Sequence, residues 1–353
     1  MRKSMWRWPA ALVVMLALVA AACSDVEEGG GEVTGATGAT GGGVTGATGG
    51  ETGAEPVIAQ CGGETVVIAV NPWIGAEANA NVVKVLMEQQ MGCTVELQKI
   101  NESAQFPAMA DGDVDATLEV WPSGHAKDRS QYIEKAGTVV DGGELGIVGN
   151  IGWFTPAYVI EQNPQYATWE GFEGDADIFS TAETGDKGRF LGADTTYSIF
   201  DEAIIASLGL DLEVVYSGSE TASLAALDKA VANQEPIIMY WWTPQWANAK
   251  YDLVEVELPA FDEECAQIAL EDPDVAAGYD CDYAEDVLYK AFGAQLESKD
   301  PAAFAFLSAF NWTAEDQNSV ALAIQEGADP EDAAQEWIDA NGDVWSAWLP
   351  TEA

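Results

Sequence analysis

The sequence predicts an α/β protein of two lobes, one inserted into the other, with a helical C-terminal part. Residues 64–100 carry a strand pattern, a helix pattern and a second strand pattern, which is the order of a βαβ unit. A second series of strands and helices begins near residue 149 and continues to an apolar run at 236–238. Residues 329–342 then carry the signals of a capped helix.

The first lobe opens with a buried strand. Residues 64–70 are a run of β-branched and apolar residues that Asn71 and Pro72 break. The helix predicted over residues 77–91 has apolar residues on one face and stops at Gly92, and residues 93–100 alternate like a strand. Strands joined through a helix favour a parallel sheet.

Three candidate ligand contacts follow predicted strands of this lobe. Trp73 comes after the first strand, and Trp121 ends the strand predicted over residues 114–121, with His125 four residues later. Ligands of open α/β sheets lie outside the carboxyl ends of the strands. Trp73, Trp121 and His125 are therefore candidates by position.

The second lobe is predicted to begin with a strand over residues 149–160. A further strand over 189–194 leads through residues 195–198 into a helix that ends at Gly209. The free backbone N–H groups at the start of such a helix suit an anion.

An aromatic stretch occupies residues 239–246, with three tryptophans and one tyrosine within seven residues. It follows the apolar run at 236–238, so we expect it at the end of a buried strand, and Pro244 interrupts regular structure. One interpretation assigns these rings to the core. The other is a pocket for an organic cation, because the negative faces of aromatic rings attract quaternary ammonium groups.

The C-terminal part returns the chain to the first lobe through residues 251–256 and ends in helices. Asp329 is a predicted N-cap, Pro330 takes the first helical position, and residues 341–342 close that helix. The predicted divisions are a signal peptide (1–22), a tether (23–60), the first part of lobe 1 (61–152), lobe 2 (153–249), and the return of lobe 1 with the C-terminal helices (250–353).

The N-terminus predicts export. Basic residues precede an apolar run at residues 10–22 that is too short to span a membrane. The small residues before Cys23 resemble the bacterial lipobox, in which the cysteine becomes a lipidated N-terminus; the alternative is a plain thiol near a cleavage site. Residues 27–55 are Gly, Thr, Ala, valine and acids, which predicts a flexible tether and an extracytoplasmic domain held by lipid.

Four further cysteines predict disulfides in an exported domain. Three connectivities are possible, and we favour local pairing of Cys61 with Cys93 and of Cys265 with Cys281. Residues 261–283, which contain the second pair, match no recognisable feature and are expected to form a surface excursion.

The composition excludes several functions. With 59 acidic and 14 basic residues the net charge is −45, which disfavours nucleic acid and anionic lipid as partners. One histidine without free cysteine disfavours a transition-metal site, and no cofactor is expected. A hydrolase would have to use His125, yet a Gly-x-Ser-x-Gly motif is missing, so we expect no enzyme.

Four segments resemble the glycine betaine/proline betaine/choline substrate-binding proteins of ABC importers: residues 121–125, 152–158, 242–246 and 329–338. The resemblance covers residues 64–350. It implies a type II periplasmic-binding-protein fold whose two lobes close on the ligand. In that family three aromatic side chains box a trimethylammonium group, while a histidine and backbone amides hold a carboxylate.

The resemblance implies a particular set of site residues. The box consists of Trp121, Tyr197 and Trp242, and the carboxylate is held by His125 with the amides of Ser198 and Ile199. Because tryptophan is common in the family at the Tyr197 corner, Trp73 or Phe200 is an additional candidate wall.

The implied function is a monomeric receptor that delivers a zwitterionic quaternary amine, first of all glycine betaine, to an ABC permease. Proline betaine, choline, carnitine or ectoine, and a ligand-sensing surface domain, are the alternatives. A site built on His125 prefers a zwitterion to choline. An acid in the pocket would reverse that preference, and Glu119, Asp194 and Asp201 are the acids considered for it.

Overall fold

The computed structural model describes residues 57–265 and 278–352. The predictions for the signal peptide, for Cys23 and for nearly all of the tether lie outside these ranges. Within them, no helix combines the length and the apolar character needed to cross a membrane.

The described part of the chain folds around one nine-stranded sheet. Its strands are β1 Thr65–Val70, β2 Thr94–Lys99, β3 Ala116–Val120, β4 Val139–Pro156, β5 Gly188–Gly192, β6 Leu212–Tyr216, β7 Ile238–Thr243, β8 Leu253–Glu255 and β9 Glu285–Gly293. Their order is β2-β1-β3-β9-β4-β7-β5-β6, and β8 pairs with β4.

Two parallel groups of strands correspond to the two lobes. β2, β1 and β3 are parallel in the first group, and β6, β5 and β7 are parallel in the second. The antiparallel strands β9 and β4 lie between them. The predicted α/β class is confirmed, and β1 and β2 are parallel, as the βαβ order of residues 64–100 favours.

Strand β4 connects the two groups and is 18 residues long. Its first half pairs with β9, and its second half pairs with β7 and β8. The prediction of a strand over residues 149–160 was wrong at both ends, because β4 begins at Val139 and a helix follows Pro156. Glycines and two register shifts interrupt the first half of β4, which removes the alternation that a sequence pattern needs.

The aromatic stretch begins within β7, which contains its residues up to Thr243, and Pro244, Gln245 and Trp246 follow the end of the strand. Alternation along a strand sends successive side chains to opposite faces. Trp241 is fully buried in the core, whereas its neighbours Tyr240 and Trp242 line a cavity. The two interpretations of this stretch therefore apply to different residues.

The chain returns to the first group of strands later than predicted. β8 pairs with Phe154, Thr155 and Pro156 of β4, beside β7. Contact with β3 is made by β9 and not by residues 251–256.

Helices cover both groups of strands and form the C-terminal part. They are α1 Ile74–Met91, α2 Glu102–Asp111, α3 Pro122–Asp128, α4 Ala157–Gln162, α5 Asp201–Leu208, α6 Glu220–Asn233, α7 Ala247–Tyr251, α8 Leu296–Lys299, α9 Pro301–Ala309, α10 Ala314–Gln325, α11 Pro330–Ala340 and α12 Gly342–Trp345. A π-helical segment follows α3 at Arg129–Lys135, and 3-10 turns lie at Pro164–Ala167, Trp169–Phe172, Asp177–Phe179 and Ser346–Trp348.

The ends of these helices follow the sequence signals. α11 begins as predicted, since the Asp329 side chain accepts the Glu331 backbone N–H and Pro330 takes the first position. α1 ends at Gly92 with φ of 64°, the left-handed conformation that glycine adopts without strain.

Two disulfides join Cys61 to Cys93 and Cys265 to Cys281, the local pairing that the sequence favours. The second disulfide holds the end of the segment expected to be a surface excursion. Residues 266–277 lie outside the described ranges, but Tyr279 and Tyr283 after them are buried. The described end of this segment is therefore part of the core.

Candidate ligand-binding site

A small cavity is bounded by residues from both groups of strands. It is lined by Trp73, Glu102, Trp121, Ser123, Gly124, Ile151, Thr196, Tyr197, Ile199, Phe200, Tyr240, Trp242 and Tyr283.

Aromatic rings meet at steep angles around this cavity. The ring centroids of Tyr197 and Trp73 are 5.9 Å apart with planes at 77°, and those of Tyr197 and Trp242 are 6.3 Å apart at 83°. Tyr240 adds another ring, 6.3 Å from Trp242 and 6.3 Å from Tyr283. Rings at such angles lie on different sides of the cavity, and edge-to-face contact of this kind is a favourable arrangement of aromatic pairs.

Local structure fixes the positions of Trp73 and Trp121. Each follows a parallel strand, β1 or β3, at its carboxyl end. Trp121 rests against Gly149 of β4, where an added Cβ would lie 2.3 Å from Trp121 Cζ3. The strand can approach the indole this closely because residue 149 has no side chain.

Glu119 lies behind these two tryptophans and does not line the cavity. Its Oε1 accepts the indole N–H of Trp73 at 2.7 Å and that of Trp121 at 3.1 Å. Burial raises the pKa of Glu119 to about 7, and hydrogen bonds from Trp121, Trp73, Gln317 and Asn79 oppose that rise. Glu119 therefore acts on the box from outside it.

Asp201 holds the opposite wall in a similar way. Its carboxylate accepts Trp153 Nε1–H at 2.9 Å, the Tyr283 hydroxyl at 2.7 Å and the Ser198 hydroxyl at 2.6 Å. Burial raises the pKa of Asp201, and these bonds oppose the rise. Asp194, the third acid considered in the sequence, accepts the Thr196 N–H and hydroxyl and likewise does not line the cavity.

The acid that does line the cavity is Glu102, at the start of α2. It is 5% exposed, and its Oε1 lies 2.9 Å from His125 Nε2. Nearby, Asp286 accepts both the backbone N–H and the hydroxyl of Ser123, at 2.8 and 2.6 Å. Among the described lining residues there is no lysine, arginine or histidine.

His125 is buried next to the cavity with both ring nitrogens engaged. Nδ1 lies 2.8 Å from Asp128 Oδ2, and Nε2 faces Glu102. Burial alone lowers the pKa of His125, but the hydrogen bonds and charges of Asp128 and Glu102 outweigh it and raise the pKa to about 9. The imidazole is therefore protonated at neutral pH.

The family model for the substrate binding domain of the ABC-type glycine betaine transport system, OpuAC, matches residues 64–340. The chain belongs to this family. Its members are solute-binding transport proteins and not enzymes, and substrate-binding proteins of ABC importers act outside the cytoplasm.

Individual relatives agree with this assignment. The trimethylamine N-oxide-binding protein of Pelagibacter ubique (strain HTCC1062) is 26% identical over 291 residues, which are 80% of this chain and 89% of that protein. Lactococcal OpuAC, in its closed conformation with glycine betaine, has a TM-score of 0.61 at 21% identity, with 81% of this chain and 100% of that chain covered. An ABC-transporter choline-binding protein with choline has a TM-score of 0.64 at 17% identity, with 82% and 93% covered. The solved structures show the two-lobed periplasmic-binding-protein fold that the resemblance implies.

Within this OpuAC-family domain, most of the predicted site residues meet around the cavity. Trp121, Tyr197, Trp242, Ile199 and both additional candidates line it. The additional candidates are Trp73 and Phe200.

His125 and Ser198 do not line the cavity. His125 faces it through Glu102, and the Ser198 amide already donates to the Asp194 carbonyl at 2.9 Å. The ring nitrogens of His125 and the amide and hydroxyl of Ser198 are therefore engaged within the protein.

Tyr197 contributes a polar group as well as a ring. Its hydroxyl is buried and has no hydrogen-bond partner within the described ranges. Burial, followed by the charges of Glu220 and Asp194, raises the pKa of Tyr197 well above its ordinary value, so the phenol keeps its proton. It is a donor available to an oxygen of a ligand.

Glu102, Tyr240 and Tyr283 line the cavity and are not among the site residues predicted from the sequence. Glu102 has the pattern of an ordinary acid in the first turn of a helix. Tyr283 belongs to the segment without recognisable features. Tyr240 had a signal, because it alternates with Trp242 in a strand and so shares its face.

Proposed function

We propose that this OpuAC-family domain binds a trimethylammonium compound in the cavity and delivers it to an ABC permease. The observation that carries the proposal is the set of rings from both lobes around one cavity, with Tyr197 nearly perpendicular to both Trp73 and Trp242. A quaternary ammonium group cannot donate a hydrogen bond, so rings suit it better than polar acceptors do. The acidic charge of the chain further favours a cationic head group.

Glycine betaine is the first candidate ligand. Its carboxylate needs donors, and the Tyr197 hydroxyl and the Ile199 amide are the groups we assign to it. His125 supports this end indirectly, since a protonated imidazole offsets the charge of Glu102.

Choline is the second candidate, and the position of Glu102 favours it. A carboxylate that lines the cavity accepts a hydroxyl hydrogen bond and repels a ligand carboxylate. Trimethylamine N-oxide, named for the Pelagibacter relative, shares the trimethylated nitrogen. All three ligands use the same box and differ at the polar end.

Calorimetry with glycine betaine, choline, trimethylamine N-oxide, carnitine and dimethylglycine tests the proposal. Dimethylglycine is the matched control, because it replaces one methyl of glycine betaine with an N–H that finds no acceptor among rings. We expect glycine betaine to bind at least about tenfold more tightly than dimethylglycine, since an unpaired buried donor costs about 1–3 kcal/mol. Equal affinities for these two would contradict the assignment of a quaternary-ammonium site.

The same panel separates the two candidates when Glu102→Gln is measured beside the parent. Neutralising this side chain should raise the ratio of betaine to choline affinity by about tenfold, because one hydrogen bond to a charged group contributes about 1.5–3 kcal/mol. An unchanged ratio would remove Glu102 from the ligand contact and with it the argument for choline.

We also propose that a lipid on Cys23 and the tether after it hold the domain, as a monomer, at the outer face of the cell membrane. The support is the sequence before Cys23 and the flexible composition of residues 27–55. In a host that processes lipoproteins, Cys23→Ser should move the protein from the membrane fraction to the soluble fraction. Unchanged membrane association would overturn this part of the proposal.

A further inference from the structure

We propose that Glu119 is a positioning residue of the ligand box, which sets two of its walls by accepting the indole N–H groups of Trp73 and Trp121 on one carboxylate oxygen. The inference rests on the proposed function, because it assumes that the box holds a quaternary ammonium group. It goes beyond that function by assigning a role to a residue that does not touch the ligand.

The geometry around Glu119 holds its carboxylate in one orientation. The side chain is 2% exposed. While Oε1 takes both indole N–H groups, Oε2 accepts Asn79 Nδ2–H at 2.6 Å and Gln317 Nε2–H at 2.8 Å. Asn79 is itself held, because its Oδ1 accepts Trp312 Nε1–H at 2.9 Å.

The two tryptophans reach this oxygen from different elements. Trp73 precedes α1 and Trp121 precedes α3, and each is an N-terminal flanking residue without a side-chain cap of its own. Loops at such positions have several conformations available to them. A single acceptor shared by both N–H groups couples the angle of one ring to that of the other.

The charge of Glu119 has a second consequence for the rings. All four of its partners are donors, so their hydrogen bonds favour the ionised carboxylate and oppose the effect of burial. An indole N–H that donates to an anion gains electron density in the ring, and the ring face then attracts a cation more strongly.

A buried carboxylate normally needs a cationic partner. None of the four hydrogen-bond partners of Glu119 carries a charge. A ligand cation held on the other side of the two rings supplies the missing positive charge. The arrangement therefore links the burial of Glu119 to the charge of the ligand.

Tetramethylammonium is the probe that tests this inference, because it has the cationic head and no polar end. Glu119→Gln, which keeps the size of the side chain and an acceptor oxygen, is expected to weaken tetramethylammonium binding about fivefold or more, the scale of one cation–π contact. Asp316→Asn is the matched control. Asp316 accepts the indole N–H of Trp337 at 3.0 Å, and Trp337 does not line the cavity. This control should leave the affinity unchanged.

A double-mutant cycle separates positioning through the indole from a general structural role. Trp121→Phe keeps a ring but removes the N–H that Glu119 accepts. If Glu119 acts through Trp121, the loss in the double variant is smaller than the product of the two single losses. Losses that multiply fully would mean that the two residues act independently, and the inference would fail.

Nitrogen-15 labelling of the tryptophans gives a readout that global loosening does not produce. In Glu119→Gln the indole N–H resonances of Trp73 and Trp121 should shift more than those of the other tryptophans.

If the variant does not fold, Trp73→Phe with Trp121→Phe keeps Glu119 and removes both bonds. The losses of that pair should not simply multiply, since one shared acceptor couples the two rings. Additive behaviour would overturn the inference.

The outcomes for the parent chain and the variant are distinguishable. If the parent binds neither tetramethylammonium nor glycine betaine, the proposed function fails and this inference fails with it. If the parent binds and Glu119→Gln binds equally well, the inference fails alone.

Discussion

Alanine in place of Trp121 or of Trp242 is expected to weaken the binding of glycine betaine and of choline by about 30-fold or more. A cation–π contact in a dry site contributes about 2 kcal/mol, which is about 30-fold in affinity, and the enlarged cavity adds to the loss. Both ligands should lose to the same extent, because they share the trimethylammonium head and differ only at the other end.

These two positions test both sides of the box. Trp121 follows β3 in the first lobe, and Trp242 lies in β7 in the second. They are 8% and 7% exposed, so each ring is almost wholly buried even though it lines the cavity. If binding requires both lobes, neither tryptophan can replace the other.

Trp345→Ala is the matched control for loss of a tryptophan. Trp345 is half-buried in α12, where its indole N–H donates to the Ile338 carbonyl, and it does not line the cavity. Circular dichroism first shows whether each of the three variants is folded. Calorimetry should then find that only Trp345→Ala has an affinity near that of the parent. Parent-like binding by both Trp121→Ala and Trp242→Ala would show that the box is assigned wrongly.

The parts of the site that the sequence predicts are those that follow a recognisable strand. Trp121 comes directly after a short apolar run and Trp73 follows another by three residues, and the carboxyl ends of parallel strands meet at one edge of a sheet. Two residues far apart in the chain could therefore be placed together without knowledge of the tertiary structure. The same argument holds for helix ends such as Gly92 and Asp329, where local chemistry decides the conformation.

The parts that the sequence misses depend on packing between distant segments. Glu102 has the pattern of any acid in the first turn of a helix, and only the fold shows that it faces the cavity. Tyr283 lies beyond the second disulfide, and its hydroxyl reaches Asp201 on another element. Neither position follows from periodicity, because a period identifies a buried face and not what that face touches.

Strand β4 shows a different limit. Its first half contains Gly142, Gly143 and Gly146, so the alternation that marks a strand is absent. Gly142 has a packing reason, because a Cβ there would lie 2.4 Å from the Phe292 ring. A sequence pattern does not show that a neighbouring ring fills the space of a missing side chain.

His125 illustrates that a position in the sequence does not determine the contacts of the side chain. The sequence places a lone histidine four residues after a tryptophan of the box, which suggests a direct partner for a carboxylate. In the structure the two ring nitrogens contact Glu102 and Asp128. The charge of the histidine therefore lies at the edge of the site. That charge makes the last prediction possible.

The free energy of unfolding is expected to fall by roughly 3 kcal/mol between pH 6.5 and pH 9 through His125 alone, which follows from a pKa that rises from 6.5 to about 9 on folding. The folded state binds the proton more tightly than the unfolded state. The stabilisation is therefore complete below pH 6.5 and is lost as the pH rises through about 9.

Other groups titrate near this window, so the comparison must isolate His125. Burial raises the pKa of Glu119 and of Glu220 to about 7, so their contribution to stability also falls as the pH rises to about 7 and levels off above it. Burial lowers the pKa of Lys290 to about 8, which has the opposite sign above that pH. The difference between the parent and His125→Gln removes all of these common contributions.

Denaturant unfolding of the parent and of His125→Gln at half-unit steps from pH 6 to pH 10 measures that difference. The parent should be more stable than His125→Gln at pH 6, and this advantage should shrink steadily towards pH 10. Because His125 is the only histidine in the sequence, its ring proton resonance also reports the pKa directly in the parent. A resonance that titrates near 6.5, or two stability curves that stay parallel, would mean that Glu102 and Asp128 do not hold a charged imidazole beside the cavity.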